Sequence, residues 1–176
     1  MNVRPLPLLL AISASLAIPA AQAATTGTLR FAGQINAGTC NLAAKDVNRT
    51  ITLPTVKVSD FDDISVIGAT EFDITAECES DIRNVTFLFT GTPDTLIPAI
   101  FASTGTAKGV AVRIRAGTPT EKTVMYAMGI PIQRSRTIAT ASKQAVLSVE
   151  AAYQKNTAPL AQGTVDSTVT ISITYN

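Results

Sequence analysis

The chain has 176 residues, 14 Lys+Arg against 13 Asp+Glu, two cysteines, and neither histidine nor tryptophan. A net charge of +1 gives no electrostatic footprint for nucleic acid or an anionic membrane surface. The missing histidine excludes Ser-His-Asp, Cys-His and His-metal chemistry, while 46% hydrophobic against 15% charged residues supplies ample core for one domain.

The first residues read as an address. Arg4 is the only charge before Arg30, and the mostly apolar stretch Leu6–Ile18 leads to Pro19 and Ala21-Gln22-Ala23. That is a basic start, a short apolar run and an A-x-A cleavage site, so residues 1–23 are expected to be a cleaved signal peptide. The run is too short for a spanning helix and is broken by Pro7, so no stable membrane insertion is expected. Loss of Arg4 leaves basic and acidic residues equal in number.

In an oxidising compartment Cys40 and Cys78 are expected to pair as a disulfide. A metal or redox pair fits poorly, since there is no CxxC spacing and no histidine to complete a zinc site.

From Ala24 onward the period is two almost everywhere. Gly27, Leu29, Phe31, Gly33 and Ile35 alternate with Thr28, Arg30, Ala32 and Gln34, and Asn36-Ala37-Gly38 joins this run to the rest. Ile51 and Leu53 alternate with threonines, and Phe61–Thr70 reads as a loop or a short helical turn. Phe72, Ile74, Ala76 and Cys78 share one face, as do Val85, Phe87 and Phe89. Val110, Val112 and Ile114 follow, then Leu147, Val149, Ala151 and Tyr153, and last Val169, Ile171, Ile173 and Tyr175. This is the apolar-in, polar-out alternation of half-buried antiparallel strands. Turn signals at Thr90–Asp94, Gly105, Ala116–Pro119 and Asn156–Pro159 separate the runs. The fold class is all-β, a single antiparallel β-sandwich.

Two segments break the logic of a self-contained sandwich. The Gly27–Ile35 run is either the first strand of the sheet or an arm outside it. The Val169–Tyr175 run ends the sequence on an apolar edge, which favours aggregation unless something pairs with it.

Taken together, these residues resemble the pilin subunits of chaperone–usher fimbriae, the type 1 and P-pilus superfamily. The likeness covers essentially the whole mature chain. It rests on the alternating arm with Gly33 before Cys40, on Phe72–Cys78, on Val85–Asp94 and on Gly109–Ile114. Its most specific part is Gly163, fourteenth from the end, then Val169, Ile171 and Ile173, with Tyr175 before Asn176. Ile97–Phe101 and Met125–Gln133 match only loosely.

The resemblance implies an incomplete immunoglobulin-like sandwich lacking its last strand. It assigns residues 24–39 to an N-terminal donor-strand extension and residues 40–176 to the pilin domain. The implied partners are a periplasmic chaperone, an outer-membrane usher and neighbouring pilin subunits, with no cofactor. In this reading Gly27, Leu29, Phe31, Gly33 and Ile35 enter a neighbour's groove. Arg30 and Gln34 face outward, and Gly33 sits where the groove floor leaves no space. Gly163, Val169, Ile171, Ile173, Tyr175 and Asn176 form the pairing edge for chaperone or donor. The implied localisation is the cell surface, in a fimbrium supporting adhesion and biofilm formation.

An enzymatic reading finds little support. Asp60, Asp62 and Asp63 lack the spacing of a calcium loop, and Ser135, between Arg134 and Arg136, is expected in an exposed loop. Lys143 and Lys155 read as solvated surface. Tyr126 and Tyr153 leave one alternative, a monomeric exported sandwich that binds a carbohydrate.

Overall fold

The computed structural model describes residues 29–176. The expected signal peptide and Gly27 lie outside the described residues. The chain divides between Ile35 and Asn36 into two units. In the first, residues 29–35 carry no strand, and Leu29, Phe31 and Ile35 are 82%, 90% and 100% exposed.

The second unit is a two-sheet antiparallel sandwich. Its strands are β1 (Cys40–Leu42), β2 (Val66–Cys78), β3 (Asn84–Gly91), β4 (Val110–Gly117), β5 (Lys122–Met125), β6 (Ser135–Ala139), β7 (Gln144–Lys155) and β8 (Val169–Tyr175). One sheet runs β1-β2-β7-β4-β5 and the other β6-β3-β8. Two short helices, α1 (Ala44–Val47) and α2 (Pro131–Arg134), and a 3-10 turn at Val58–Phe61 fill connections.

The alternation fixes which faces meet. Val85, Phe87 and Phe89 of β3 are sealed in the core against Ile74, Ala76, Val112, Ile114, Leu147 and Val149 of the opposing sheet. Cys40 and Cys78 face each other across the β1–β2 ladder with Cα atoms 4.1 Å apart and are joined as a disulfide. Gly68 absorbs the register shift in β2 between Ile67 and Thr70. It adopts φ +68°, and a Cβ there would meet Tyr153 Cδ2 at 2.9 Å, so only glycine suits the bulge.

Three expectations need correction. The Ile51–Leu53 run forms no strand. Pro54 has no N–H to give a ladder, and Leu53 packs on the core from a loop. The Phe61–Thr70 stretch is strand from Val66 onward, because Val66 and Ile67 pair with Gln154 and Tyr153. Ser135 begins β6 rather than lying in a loop, paired with Leu88.

Candidate functional site

The strand order defines the site. In a seven-stranded immunoglobulin sandwich one sheet carries strands A, B, E and D and the other C, F and G. Here β1-β2-β7-β4 matches the first set and β3-β8 matches C and F. Among the described residues no strand pairs with the outer edge of β8, which is where G would lie.

The ladder phase tells which groups line that edge. Asn84 and Asn176 exchange backbone hydrogen bonds in both directions, so they form a hydrogen-bonded pair. Alternation down the β3–β8 register then turns Thr174, Ser172 and Thr170 toward β3. It turns the N–H and C=O groups of Tyr175, Ile173, Ile171 and Val169 to the open edge. The side chains of Val169, Ile171 and Ile173 pack against the core yet remain only partly buried. Polar backbone and incompletely covered apolar side chains thus come from the same residues. That combination invites an added strand. β1, the edge strand of the other sheet, approaches β8 closely enough to flank the opening.

Gly163 lies in the connection before β8, not on the strand. Its position is set by a crossing of two segments. Thr104 N–H donates to Asp166 O (2.8 Å), Ala107 N–H to Thr164 O (3.0 Å) and Lys108 N–H to Ala161 O (3.2 Å). A Cβ at Gly163 would collide with the backbone of Thr106 and Ala107, and one at Gly105 would collide with Thr164 O. The two glycines let the segments touch. Beside this crossing a cleft of about 670 Å³ opens, lined by Thr55, Phe61, Tyr153, Leu160, Gly163 and Val165 among others. Desolvation raises the Tyr153 phenol above its ordinary value of 10.0.

The start of the second unit is pinned. Gly38 N–H donates to Asp81 Oδ2 (2.8 Å) and Thr39 N–H to Glu79 Oε2 (3.1 Å). Glu79 N–H returns to Thr39 O (3.0 Å). The Cys40–Cys78 disulfide follows at once. By contrast, among the described residues nothing lies within 4 Å of where a Gly33 Cβ would stand.

Asp60 accepts the Lys57 N–H at 2.8 Å and so closes the 3-10 turn. Among the described residues no group of three or more acidic, cysteine or histidine side chains is placed to hold a metal ion. None of the described helices is long and apolar enough to cross a membrane.

The described residues form an immunoglobulin-like sandwich whose β8 carries no strand on its outer edge, preceded in sequence by an apolar arm. The chain belongs to the fimbrial protein family, whose sequence profile matches residues 29–176. It is 30% identical over 99 residues to the fimbrial subunit ElfA of Escherichia coli K12, covering 52% of this chain and 55% of that one. The same figures hold for the laminin-binding fimbrial subunit ElfA of Escherichia coli O157:H7. The chain thus spans about half the length of the curated relatives it matches. In structure it is similar to a subunit of a chaperone–usher pilus, with a TM-score of 0.62 at 17% identity, covering 86% of this chain and 96% of that one. The P pilus rod subunit PapA gives 0.62 at 15% identity, covering 78% and 99%. The CupB6 tip adhesin of Pseudomonas aeruginosa gives 0.57 at 20% identity, covering 70% of this chain and 35% of the adhesin.

Proposed function

We infer that the chain is a structural rather than catalytic subunit, polymerised into a surface fimbria by donor-strand exchange. Residues 1–23 direct export, residues 24–39 are the donor extension and residues 40–176 the receiving domain. A periplasmic chaperone first occupies the open edge and delivers the subunit to an outer-membrane usher. There the arm of a neighbouring subunit replaces it, and the resulting fibre supports adhesion and biofilm formation.

The open edge of β8 carries this reading. Three alternate positions, Val169, Ile171 and Ile173, present unpaired backbone groups above apolar side chains that their own sandwich covers incompletely. The arm supplies the complement, with Leu29, Phe31 and Ile35 at a spacing of two or four and all in solvent. Among the described residues, nothing near Gly33 within its own chain requires a glycine. A glycine imposed by a neighbour's groove accounts for that residue. A head-to-tail contact of this kind does not close on itself, so it makes filaments.

Deleting Ala24–Ile35 tests the reading. The expected product is a chaperone-bound subunit that forms no SDS-resistant ladder. A deletion variant that still polymerises would refute it. One that binds a sugar unimpaired and never assembled in wild-type form favours the carbohydrate-binding monomer.

A further inference from the structure

The two outer faces of the sandwich differ in chemistry. Outward positions of the five-stranded sheet carry Glu71, Asp73, Arg113, Arg115 and Glu150. Those of the three-stranded sheet carry no charge and are mostly threonine and serine. Thr137, Thr86 and Thr174 form one row across β6, β3 and β8, and Ser135, Leu88 and Ser172 form the next. A strand spacing of about 4.8 Å sets the hydroxyls of a row close to the length of one pyranose ring apart.

At the end of this face a recess of about 360 Å³ is lined by Asn84, Thr86, Thr137, Thr174, Tyr175 and Asn176. Asn84 and Thr86 share the face because they stand two apart on one strand. Thr86 Oγ1 and Thr137 Oγ1 lie 2.7 Å apart and share one hydrogen, which leaves the second hydroxyl hydrogen free. Asn84 and Asn176 are joined through their backbone groups. Among the described residues no hydrogen bond takes up their side-chain amides or the Thr174 hydroxyl. Tyr175 is 41% exposed and adds an aromatic ring. Neutral donors and acceptors around a ring, with no charge, suit a ligand that is itself uncharged and densely hydroxylated.

We propose that this recess binds one sugar residue of a neutral polysaccharide, whose chain continues over the Ser135–Leu88–Ser172 row. The missing charge selects against anionic polymers, which call for Arg or Lys to pair with them. Each asparagine amide offers both donors and an acceptor, so sugar hydroxyls are met in either sense. The C–H faces of the sugar rest on Tyr175 and on half-buried Leu88. A single residue held this way binds with a Kd on the order of millimolar. Copies repeated along the polymer proposed above raise that by about 10²- to 10⁴-fold through avidity. The site itself lies within one chain and does not depend on the polymer.

The test is co-sedimentation of wild-type fibres with dextran, galactomannan and chitohexaose, with polygalacturonate as the charged control. At least one neutral probe is expected in the pellet, and polygalacturonate is expected to stay in solution. The double variant Thr86→Val/Thr174→Val should weaken binding about tenfold or more. Its SDS-resistant ladder should be unchanged, since valine keeps the branched shape and the strand preference of threonine. No neutral probe in the pellet, equal binding by the variant, or equal binding of polygalacturonate would each overturn the proposal. If the variant forms no ladder, hydrogen exchange on wild type decides. The amides of residues 84–90 and 170–176 should exchange more slowly with the probe bound, and unchanged exchange overturns the site. If wild type itself forms no fibres, the strand-exchange reading falls, and titration of the exported chain with the same probes decides this one.

Discussion

Phe31→Ala separates the arm's role in assembly from any role in the fold. The Phe31 side chain is 90% exposed in its own chain, so its truncation removes almost no buried surface there. Surface changes of this sort alter stability by about 0.5 kcal/mol or less. In the neighbour's groove proposed above, the ring passes from water to apolar surroundings, a transfer of about 2–3 kcal/mol. At 1.4 kcal/mol per tenfold, that weakens the donor strand by roughly 30- to 150-fold. The loss should fall mainly on the dissociation rate. The assay is the decay of the polymer ladder in SDS at fixed temperature, beside thermal melting of the unpolymerised subunit. Arg30→Ala is the control, since Arg30 is also exposed but lies on the other face of the alternation. Equal decay of the Phe31→Ala and Arg30→Ala ladders would refute the reasoning. So would a loss of 2 kcal/mol in the unpolymerised subunit.

Gly163→Ala and Gly105→Ala should each destabilise the isolated domain by more than about 2 kcal/mol, because the new Cβ meets backbone across the crossing; chemical denaturation of the subunit measures this. Replacing Cys40 and Cys78 by serine opens a loop spanning a separation of 38 residues. It should cost roughly 3–4 kcal/mol on the chain-entropy account, visible as a lowered denaturation midpoint. Tyr153 gives a pH dependence. Its phenol titrates higher folded than unfolded, so between those two values the native state holds the extra proton. Stability from this residue is complete below pH 10 and declines as pH rises past it; Tyr153→Phe should flatten the decline in base titrations followed by circular dichroism.

The long strands were legible because each has both a buried face and a solvent face. Phe87 and Phe89 in β3, or Leu147 and Val149 in β7, announce themselves by alternation alone. The short edge strands were not. Lys122–Met125 and Ser135–Ala139 have no sustained period, and they are strands because Ile114 and Leu88 lie alongside to pair with them. Ile51 and Leu53 have the period without the partner. Gly163 was visible only through resemblance, since its reason is Thr106 and Ala107, more than fifty residues away. The joining of the Leu96 and Met128 loops was hidden for the same cause. Their contact is made by backbone groups at Pro98 and Ala99, which leave no mark on residue identity.

In the polymer proposed above, the cross-strand disulfide also governs how force enters the domain. Tension on the arm arrives at Cys40, the first residue of β1, a strand of only three residues that could be peeled bond by bond. The covalent link passes the load directly to Cys78, the last residue of β2. β2 is thirteen residues long and paired along most of its length with β7. A pull that would have unzipped a short edge instead loads a central strand lengthwise, where many hydrogen bonds must fail together. A filament joined through the arm, as proposed, is clamped at the point where each link begins.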